Sequence, residues 1–529
     1  MKEQELTGVL AAALRRGASR RELMGWLGAA GMSAAVAGPL LGHAQGALAQ
    51  TPRQGGRVRV ATQQGSTSDT LDPAKQTNQS DYSRCFMFYN GLSRLDGSLT
   101  PQPELAESFE SERATVWTVK LRRGVKFHDG SEMTAADVVY SLARHKDPRT
   151  GSVARALATQ MEEITAAGSH EVRITLGAPN ADLPVVFGTP HFLIIKDGTT
   201  EFTTANGTGP YLCKEFTPGV RSVAARNPNY WKSGRPYLDE IELFGIGDET
   251  ARVNALLSGD IQIASAVSPR LARRVQSARG FALFETRSGG YNDLVMRQDA
   301  DPTRNPDLVL ALKHLFNREQ LRTTVFQGYG VIGNDQPIDP SNRFYHPGLR
   351  QRPYDPEKAK FHFQRSGVGN TPLPVYAMAS TTMLDTAVLL QQAAQEIGMT
   401  LDVRRMPSDG YWSNVWTKYP ITFGNINPRP SADVLFTLFF KSDSAWNESA
   451  WRNERFDQLL VAARGETDAA KRREMYAEMQ VLVHEQCGIG LPMFISILDG
   501  HSAKVKGLSP IPTGGLMGYS FAENVWLEA

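Results

Sequence analysis

Cysteine is scarce in this chain of 529 residues, and no segment outside the N-terminal region is a long hydrophobic run. The three cysteines, Cys85, Cys213 and Cys487, are far apart and odd in number. At most one disulfide can form among them, and the sequence does not tell which two would pair, so a disulfide-stapled scaffold is excluded. Their simplest interpretation is as small buried apolar residues.

An excess of one charge is also lacking. The first 49 residues hold five of the 57 Lys/Arg and three of the 55 Asp/Glu, which leaves 52 of each in the rest of the chain. A nucleic-acid-binding protein would carry a basic excess or patch, so nucleic acid is not an expected partner. With 41% hydrophobic and 21% charged residues, the chain has a globular composition, and its length suits two or three domains.

The N-terminal region has the order of an export signal. Four arginines (15, 16, 20 and 21) precede an uncharged stretch over residues 23–42, and Ala47-Leu48-Ala49 provides a small-x-small cleavage pattern. Residues 19–24 (SRRELM) resemble the twin-arginine motif. We therefore expect residues 1–49 to be a twin-arginine-type signal peptide cleaved after about Ala49, and the mature chain to be periplasmic.

The remainder of the chain alternates between strand and helix patterns without a linker or repeat. Strands are predicted at 57–61 and 171–176, with two more around the Arg123-Gly124 turn within 115–127. Helices are predicted by apolar spacing and by caps, at 134–145 (capped by Thr134), 251–257 (ending at Gly259), 307–316 (after Pro306), 355–367 (capped by Asp355) and 471–487. This pattern predicts a mixed α/β architecture with discontinuous domains.

Motifs for catalysis, cofactors and metals are nearly absent. Residues 328–333 match G-x-G-x-x-G, but they follow a helical stretch, and Asp335 and Pro337 prevent an immediate helix after them, so the dinucleotide interpretation fails. His484 and Cys487 are three residues apart on a helix, yet no second Cys/His pair accompanies them. We expect no cofactor, no metal and no catalytic residue.

Several short segments, in order along the chain, resemble the family 5 extracellular solute-binding proteins of bacterial ABC importers, the dipeptide, oligopeptide and nickel-binding group. The segments are LDP (71–73), NGL (90–92), PQPELAES (101–108), WTVKLRRGVKFHDGSEMTAADVVYSL (117–142), GTGPY (207–211), RNPNYW (226–231), YDPEKA (354–359) and NERFDQLL (453–460). They extend through nearly all of residues 55–529.

The resemblance implies an α/β fold with two lobes and a hinge, the type II periplasmic-binding-protein fold of the three-domain cluster. By analogy, domain I takes 54–88, 207–286 and 498–529. Domain II is an insertion at 89–206, and domain III takes 287–497.

The resemblance also places a cleft-lining region of domain III at Tyr411-Trp412 and at residues 423–429, which include Asn425. In the peptide-binding branch an aspartate pairs there with the peptide ammonium, and Asn427 takes that position here. An amide cannot compensate a buried ammonium, which weakens the peptide hypothesis. Asp433 could restore the charge or could cap the following helix.

Four of these and neighbouring residues, Arg429, Tyr291, Asn292 and Trp412, are ligand-contact candidates with specific roles. Arg429 could bind a carboxylate through two hydrogen bonds or lie on the rim between two prolines. Tyr291 and Asn292 fall where the chain crosses into domain III, on the hinge side. Trp412 could stack on a ligand or pack beneath the loop.

The function implied is a periplasmic substrate-binding component of an ABC importer. It would capture a small solute, a peptide or another small organic molecule, and deliver it as a monomer to the membrane permease. Two alternatives stay open at this point: a periplasmic hydrolase that uses an acid pair such as Glu104 and Asp129, and a receptor on the same scaffold without a transporter.

Overall fold

The computed structural model of the protein describes residues 52–379 and 381–528, together with Leu23 and Leu27. The predicted signal peptide, its twin-arginine motif and its cleavage site therefore lie outside the described residues. No helix in the described part of the chain is long and apolar enough to cross a membrane.

The strands of the described residues are numbered in chain order. They are β1 Arg57–Thr62, β2 Ser93–Leu95, β3 Pro101–Pro103, β4 Ala106–Glu112, β5 Val116–Leu121, β6 Met161–Gly168, β7 Glu171–Leu176, β8 Tyr211–Thr217, β9 Arg221–Arg226, β10 Glu240–Gly245, β11 Ile263–Ala264, β12 Phe281–Met296, β13 Val331–Ile332, β14 Leu373–Met378, β15 Leu401–Met406, β16 Ile421–Ile426, β17 Ile489–Ser502, β18 Val505–Lys506 and β19 Trp526–Leu527.

The α-helices are numbered in the same way. They are α1 Gln79–Phe88, α2 Ala135–Ala143, α3 Arg155–Ala158, α4 Leu183–Val186, α5 Glu249–Ser258, α6 Pro269–Ser277, α7 Pro306–His314, α8 Arg318–Thr324, α9 Pro356–Ser366, α10 Thr381–Glu396, α11 Tyr411–Asn414, α12 Ala432–Phe439, α13 Glu454–Gly465 and α14 Ala469–Gln486. Short 3-10 turns lie at Pro73–Lys75, Arg144–Lys146, Pro148–Thr150, Pro190–Phe192 and Phe521–Glu523.

One large sheet passes through most of the molecule in the order β15-β14-β16-β12-β17-β11-β1-β10-β9-β8, with β13 also paired to β17. Its centre is the antiparallel pair of β12 and β17, which are 16 and 14 residues long. On one side β14 runs parallel to β15 and β16, and on the other β1 runs parallel to β10 and β11. The long β12–β17 ribbon therefore connects two halves, each with its own parallel strands.

A separate four-stranded sheet, in the order β4-β5-β7-β6, forms its own unit between residues 106 and 176. Alternating strand residues such as Trp117 and Val119 pack with Val138 and Leu142 of α2 in one apolar cluster. Other clusters fill the half around β14–β16 and the half around β1. The predicted domain boundaries are not tested by this packing and stay predictions.

Most of the predicted elements are confirmed. Asn305 and Asp355 cap α7 and α9, each of which begins with a proline that lacks the N–H a first turn would leave unbonded. Thr134 and Asp137 form a reciprocal cap on α2, and Gly259 ends α5 in the left-handed region.

One predicted strand is wrong. Beyond the Arg123-Gly124 turn the described chain forms only a single bridge, between Lys126 and Glu132, instead of a second strand. The backbone closes into a tight turn there, because the amide of Phe127 donates to the carbonyl of Ser131. The three cysteines, all described, are free thiols.

Candidate ligand-binding cleft

A cavity of about 1020 Å³ opens beside the β12–β17 ribbon. That volume is at the upper end of small-molecule pockets, roughly 300–1,000 Å³. Its walls come from segments far apart in sequence, namely residues 63–64, 77–86 around the start of α1, 185–191 from the end of α4 onward, 247–252, 266–269, 425–431 with Val434, 495–498 and 513–519. Segments from most of the length of the chain therefore enclose one space.

The wall formed by residues 425–431 follows the end of β16. Pro428 and Pro430 lack backbone N–H groups, so strand pairing cannot continue there. Ser431 then caps α12, because its hydroxyl accepts the amide of Asp433 at 3.2 Å. The end of β16 presents Asn425 to the cavity, and the loop between strand and helix presents Asn427 and Arg429.

Arg429 is a cation in the cleft wall with few partners. Its Nη1 donates only to the carbonyls of Asn427 and Pro428, at 3.2 and 3.4 Å, and its guanidinium lies 5.6 Å from the ring centre of Phe439. Burial lowers the pKa of Arg429, and the nearby hydroxyls of Tyr82 and Tyr519 among other groups oppose that shift. In the described part of the chain no carboxylate lies within ion-pair distance of it.

The other charged groups of the cavity wall are already engaged. Arg252 donates to the carbonyls of Ile246, Ser265 and Ala266, which fixes the loops around α5 and α6. Glu249 accepts the backbone amide of Ser268 at 2.5 Å. Both side chains thus have structural hydrogen bonds that a ligand would have to replace.

A left-handed turn at Gly515–Gly518 forms another part of the wall. Leu516 and Met517 have φ of 52° and 57°, and Tyr519, with φ of 76°, extends the same conformation. Such values are strained for residues with a Cβ. The buried carboxylate of Asp499 stabilises the turn by accepting the amide of Leu516 at 2.6 Å. The result places the ring of Tyr519 5.0 Å from that of Tyr82, at the cavity.

Of the eight predicted contact residues, Asn425, Asn427 and Arg429 line the cavity. Tyr291 is fully buried against Phe494. Asn292 lies behind the wall, where its amide joins Asn425 to Thr382 through hydrogen bonds of 2.6 and 2.8 Å. Neither belongs to the cavity lining, so each would act on a ligand only through its neighbours.

Tyr411 and Trp412 also lie away from the cavity. The hydroxyl of Tyr411 is within hydrogen-bond distance of the carbonyls of Tyr376 and Phe423, which ties α11 to β14 and β16. Trp412 is 42% exposed and meets the rings of Tyr411 and Trp416 edge-on. Whether any of these residues contacts a ligand stays a prediction.

Asp433 lies in the first turn of α12, and the prediction that it caps this helix is wrong. The cap is Ser431, while both carboxylate oxygens of Asp433 accept from Nε of Arg464 at 3.1 Å. Burial raises the pKa of Asp433 to about 6, although Arg464 opposes the shift. Asp433 is not among the residues of the cavity wall.

Sequence reasoning missed a cluster of buried charges around Asp182, which we call the Asp182 cluster: Asp182, Arg343, Ser431 and Arg472. Asp182 accepts from Arg343 at 2.9 Å, from Arg472 at 2.8 Å, and from the hydroxyl of Ser431. Burial alone would raise the pKa of Asp182, but the two arginines lower it overall. Nothing in the local sequence marks these residues, which are 161 to 290 positions apart from Asp182 in the two ion pairs.

The residues of the hydrolase alternative are engaged in ion pairs. Glu104 is buried and bound by Lys232, while Asp129 is bound by Lys196 at 2.6 Å on the surface. Neither lines the cavity. Among the described residues no group of three or more His, Cys, Asp or Glu side chains could hold a metal ion. His484 instead contacts the carbonyl of Asn334 at 2.7 Å.

Comparison with known families gives one match that covers most of the chain. The model of the family described as "Bacterial extracellular solute-binding proteins, family 5 Middle" matches residues 100–448. That range includes both the four-stranded sheet and the loop between β16 and α12 that lines the cavity.

Two characterised relatives extend the similarity. Di/tripeptide-binding protein 2 of Pseudomonas aeruginosa is 27% identical over 463 residues, which cover 79% of this chain and 86% of that protein. The glutathione-binding protein GsiB of Escherichia coli K12 is 25% identical over 479 residues, 85% of this chain and 92% of that protein.

Solved structures agree on the fold. The substrate-binding protein CtaP of Listeria monocytogenes has a TM-score of 0.79 at 20% identity and covers 90% of this chain and 100% of its own. The periplasmic binding protein DppA of Helicobacter pylori, in complex with the peptide STSA, has a TM-score of 0.72 at 21% identity, with coverages of 90% and 99%. The α/β fold is thus the two-lobe fold of periplasmic binding proteins.

Proposed function

The chain belongs to family 5 of the bacterial extracellular solute-binding proteins, and from that premise we propose that it is the periplasmic substrate-binding component of an ABC importer. It would capture a small organic solute in the cleft and present it to the membrane permease. The observation that carries this proposal is the cavity of about 1020 Å³, whose walls come from both sides of the β12–β17 ribbon. A space enclosed in this way changes its volume whenever the two sides move.

The ribbon supplies a place for that movement. The pairing of β12 with β17 shifts in register between Arg287 and Tyr291, a bulge that holds Gly289 and Gly290. Ser288 and Gly290 line the cavity at the same point. Glycines in a strand interior weaken it and absorb backbone rotation, so we place the hinge at this bulge.

The Asp182 cluster supports closure on the opposite side of the cavity. Asp182 precedes α4, whose Val185 and Val186 line the cavity, and Ser431 ends the loop that holds Arg429. The hydrogen bond that the Ser431 hydroxyl donates to Asp182 joins these walls and stabilises the state in which they touch. A ligand shifts the balance further only through its greater affinity for that state.

Two observations bear on the identity of the solute, and they point in different directions. The relatives named above bind di- and tripeptides or glutathione, which supports a peptide-like ligand. Asn427 argues against it, because an amide at the position of the ammonium-binding aspartate leaves that charge unpaired. We therefore propose a small organic molecule that need not carry a free ammonium group.

The remaining parts of the proposal are export, partner and stoichiometry. We propose a twin-arginine-type signal over residues 1–49, a soluble periplasmic monomer, and a permease in the inner membrane as the partner. The family is one of solute-binding proteins rather than enzymes, and the hydrolase alternative has no support in the cavity wall.

The test is native mass spectrometry of the mature protein purified from the periplasm of its own host, followed by ligand release. We expect a bound mass that leaves on denaturation, and a smaller radius of gyration in X-ray scattering when the released molecule is added back. Turnover of that molecule, abolished by Glu104→Gln, would instead support the hydrolase. A chain that binds nothing and keeps one radius of gyration would overturn the proposal.

A further inference from the structure

Resting on the proposed function, we propose that the cleft selects a carboxylate-bearing organic acid, whose carboxylate is received by Arg429 with Gln79, Tyr82 and Tyr519 around it. Arg429 and Gln79 both have side-chain donors that no group among the described residues accepts.

Arg429 has donors to spare. A guanidinium carries five N–H donors in a planar fork, and only its Nη1 makes contacts, both to backbone carbonyls of its own loop. The described residues leave Nε and Nη2 of Arg429 without a protein acceptor. Arg429 is only partly buried and lines the cavity, so these two nitrogens are free to donate to a ligand anion there.

A second group at the same cavity has an unused donor. Nε2 of Gln79 is buried and has no hydrogen-bond partner in the described structure, although Gln79 lines the cavity. Gly515 approaches so closely that a Cβ on it would come within 2.8 Å of this nitrogen. Because residue 515 is a glycine, the Gln79 amide fits beside it at the cavity, and its nitrogen is a donor without an acceptor among the described residues.

Two tyrosines complete the donor-rich corner. Tyr82 and Tyr519 both line the cavity, and both are near enough to Arg429 for its charge to act on them. Burial raises the pKa of each hydroxyl, so both stay protonated, but the single O–H of Tyr519 is already bound to a carbonyl and only that of Tyr82 is free to donate. Tyr519 donates to the carbonyl of Thr513 at 3.1 Å, and Tyr82 makes no comparable side-chain hydrogen bond among the described residues.

Acceptors for a cationic ligand are scarce by comparison. Glu249 is the only carboxylate residue in the described cavity wall, and it is bound to the amide of Ser268. Asp433, which could have replaced the aspartate of peptide binders, is held by Arg464 away from the cavity. The cleft therefore favours a negative group over an ammonium.

The planar geometry of the Arg429 guanidinium restricts the class of anion that it binds best. Two parallel N–H···O bonds match a carboxylate, whereas lysine would give only a point charge. Phosphate also fits such a fork, so phosphate esters form a comparison arm of the test. The apolar wall at Val185 and Val186 suits the carbon skeleton of an organic acid.

The experiment is a thermal-shift screen of the mature protein, with calorimetry on the strongest hits. The library contains small organic acids, their primary amides, their phosphate analogues and short peptides. We expect acids to stabilise the protein, amides not to, and Arg429→Gln to weaken the best acid by about 10- to 100-fold, the effect of a lost charged hydrogen bond. Arg429→Lys should fall between.

The matched control is Arg123→Gln, which removes one positive charge from an exposed position. It should bind as the wild type does. If amides or cationic peptides bind as well as acids, or if Arg429→Gln has the affinity of the control, the anion proposal is wrong while the receptor function stands. If phosphate analogues exceed the acids, the carboxylate assignment is wrong. If no compound binds and the protein carries no solute from its host, both proposals fail.

Discussion

Two arginine-containing regions of the molecule differ in how they use buried charge. In the Asp182 cluster, one carboxylate accepts from Arg343, Arg472 and Ser431, and every member is bound by another. In the cleft, Arg429 contacts two carbonyls and an aromatic ring, and no carboxylate among the described residues pairs with it. Paired buried charges fix a structure, whereas a charge left without a counterion is kept for a molecule that is not part of the chain.

The Asp182 cluster should be the more sensitive region to break. Asp182→Asn keeps the size of the side chain but leaves the buried Arg472 and the half-buried Arg343 without their carboxylate. The expected loss is about 3–5 kcal/mol of unfolding free energy, as for other buried pairs with one partner removed. Urea unfolding measures it.

The control is Asp402→Asn, which breaks the half-exposed pair of Asp402 with Arg404. An exposed pair contributes about 0–1 kcal/mol, so this variant should unfold close to the wild type. Equal losses in the two variants would show that the Asp182 cluster has no special structural role.

Asp293 and Glu448 form a third buried site of ionisable groups. Protonation, rather than a neighbouring cation, keeps their carboxyl groups from carrying unpaired charge. Asp293 and Glu448 face each other beside Gly424, where a Cβ would collide with both carboxyl groups. Burial raises the pKa of Glu448 to about 7, and burial together with Glu448 raises that of Asp293. Trp416 donates to Glu448 at 2.8 Å.

The pair predicts a loss of stability with rising pH. Glu448 and Asp293 hold protons in the folded protein that the unfolded chain releases near pH 4.5 and 3.8, so stability should fall as the pH rises from about 4 through about 7, by a few kcal/mol in all. Glu448→Gln removes one of the two titrating groups and should make that part of the profile of unfolding free energy against pH less steep. A profile as steep as that of the wild type would rule out Glu448 as a titrating group.

Arg429 should respond in the opposite way to Asp182. In the ligand-free protein, Arg429→Gln should change the unfolding free energy by less than about 1 kcal/mol, because no ion pair is broken. With the same excess of ligand, the wild type should gain about 1–3 kcal/mol more stability from binding than the variant, as a 10- to 100-fold difference in affinity requires. A loss of several kcal/mol without ligand would make Arg429 a structural residue and remove the contrast.

The smallest effect on ligand affinity is expected at Trp412. Its ring meets Tyr411 and Trp416 edge-on but does not line the cavity, so Trp412→Ala should cost about 0.5–1.5 kcal/mol of stability. Calorimetry with the wild-type ligand should give an unchanged affinity. A weakened affinity would place Trp412 at the ligand after all.

Local chemistry was readable from the sequence, and long-range placement was not. Asp355-Pro356 and Gly259 specify a helix start and a helix end by themselves, so α9 and the end of α5 were predictable. The family resemblance supplied the order of the large segments and the loop with Asn425, Asn427 and Arg429. The Asp182 cluster could not be found, because its partners are 161 and 290 residues from Asp182 and have ordinary neighbours.

The site shows the same limit. Tyr411 and Asn292 are polar or aromatic residues in the expected region. However, the Tyr411 hydroxyl is within hydrogen-bond distance of backbone carbonyls, and the Asn292 amide is hydrogen-bonded to Asn425 and Thr382. Gln79 and Tyr519 belong to the cavity, but only the fold brings them there, the latter through a left-handed turn that no local motif announces.

The most direct measurement of the central claim is a crystal structure of the mature protein purified with its native solute. The account predicts ligand density in the cleft between residues 425–431 and Tyr519, with an anionic group within hydrogen-bond distance of the Arg429 guanidinium. Density for a solute whose only charged group is a cation, or a ligand that leaves Arg429 facing water, would contradict it.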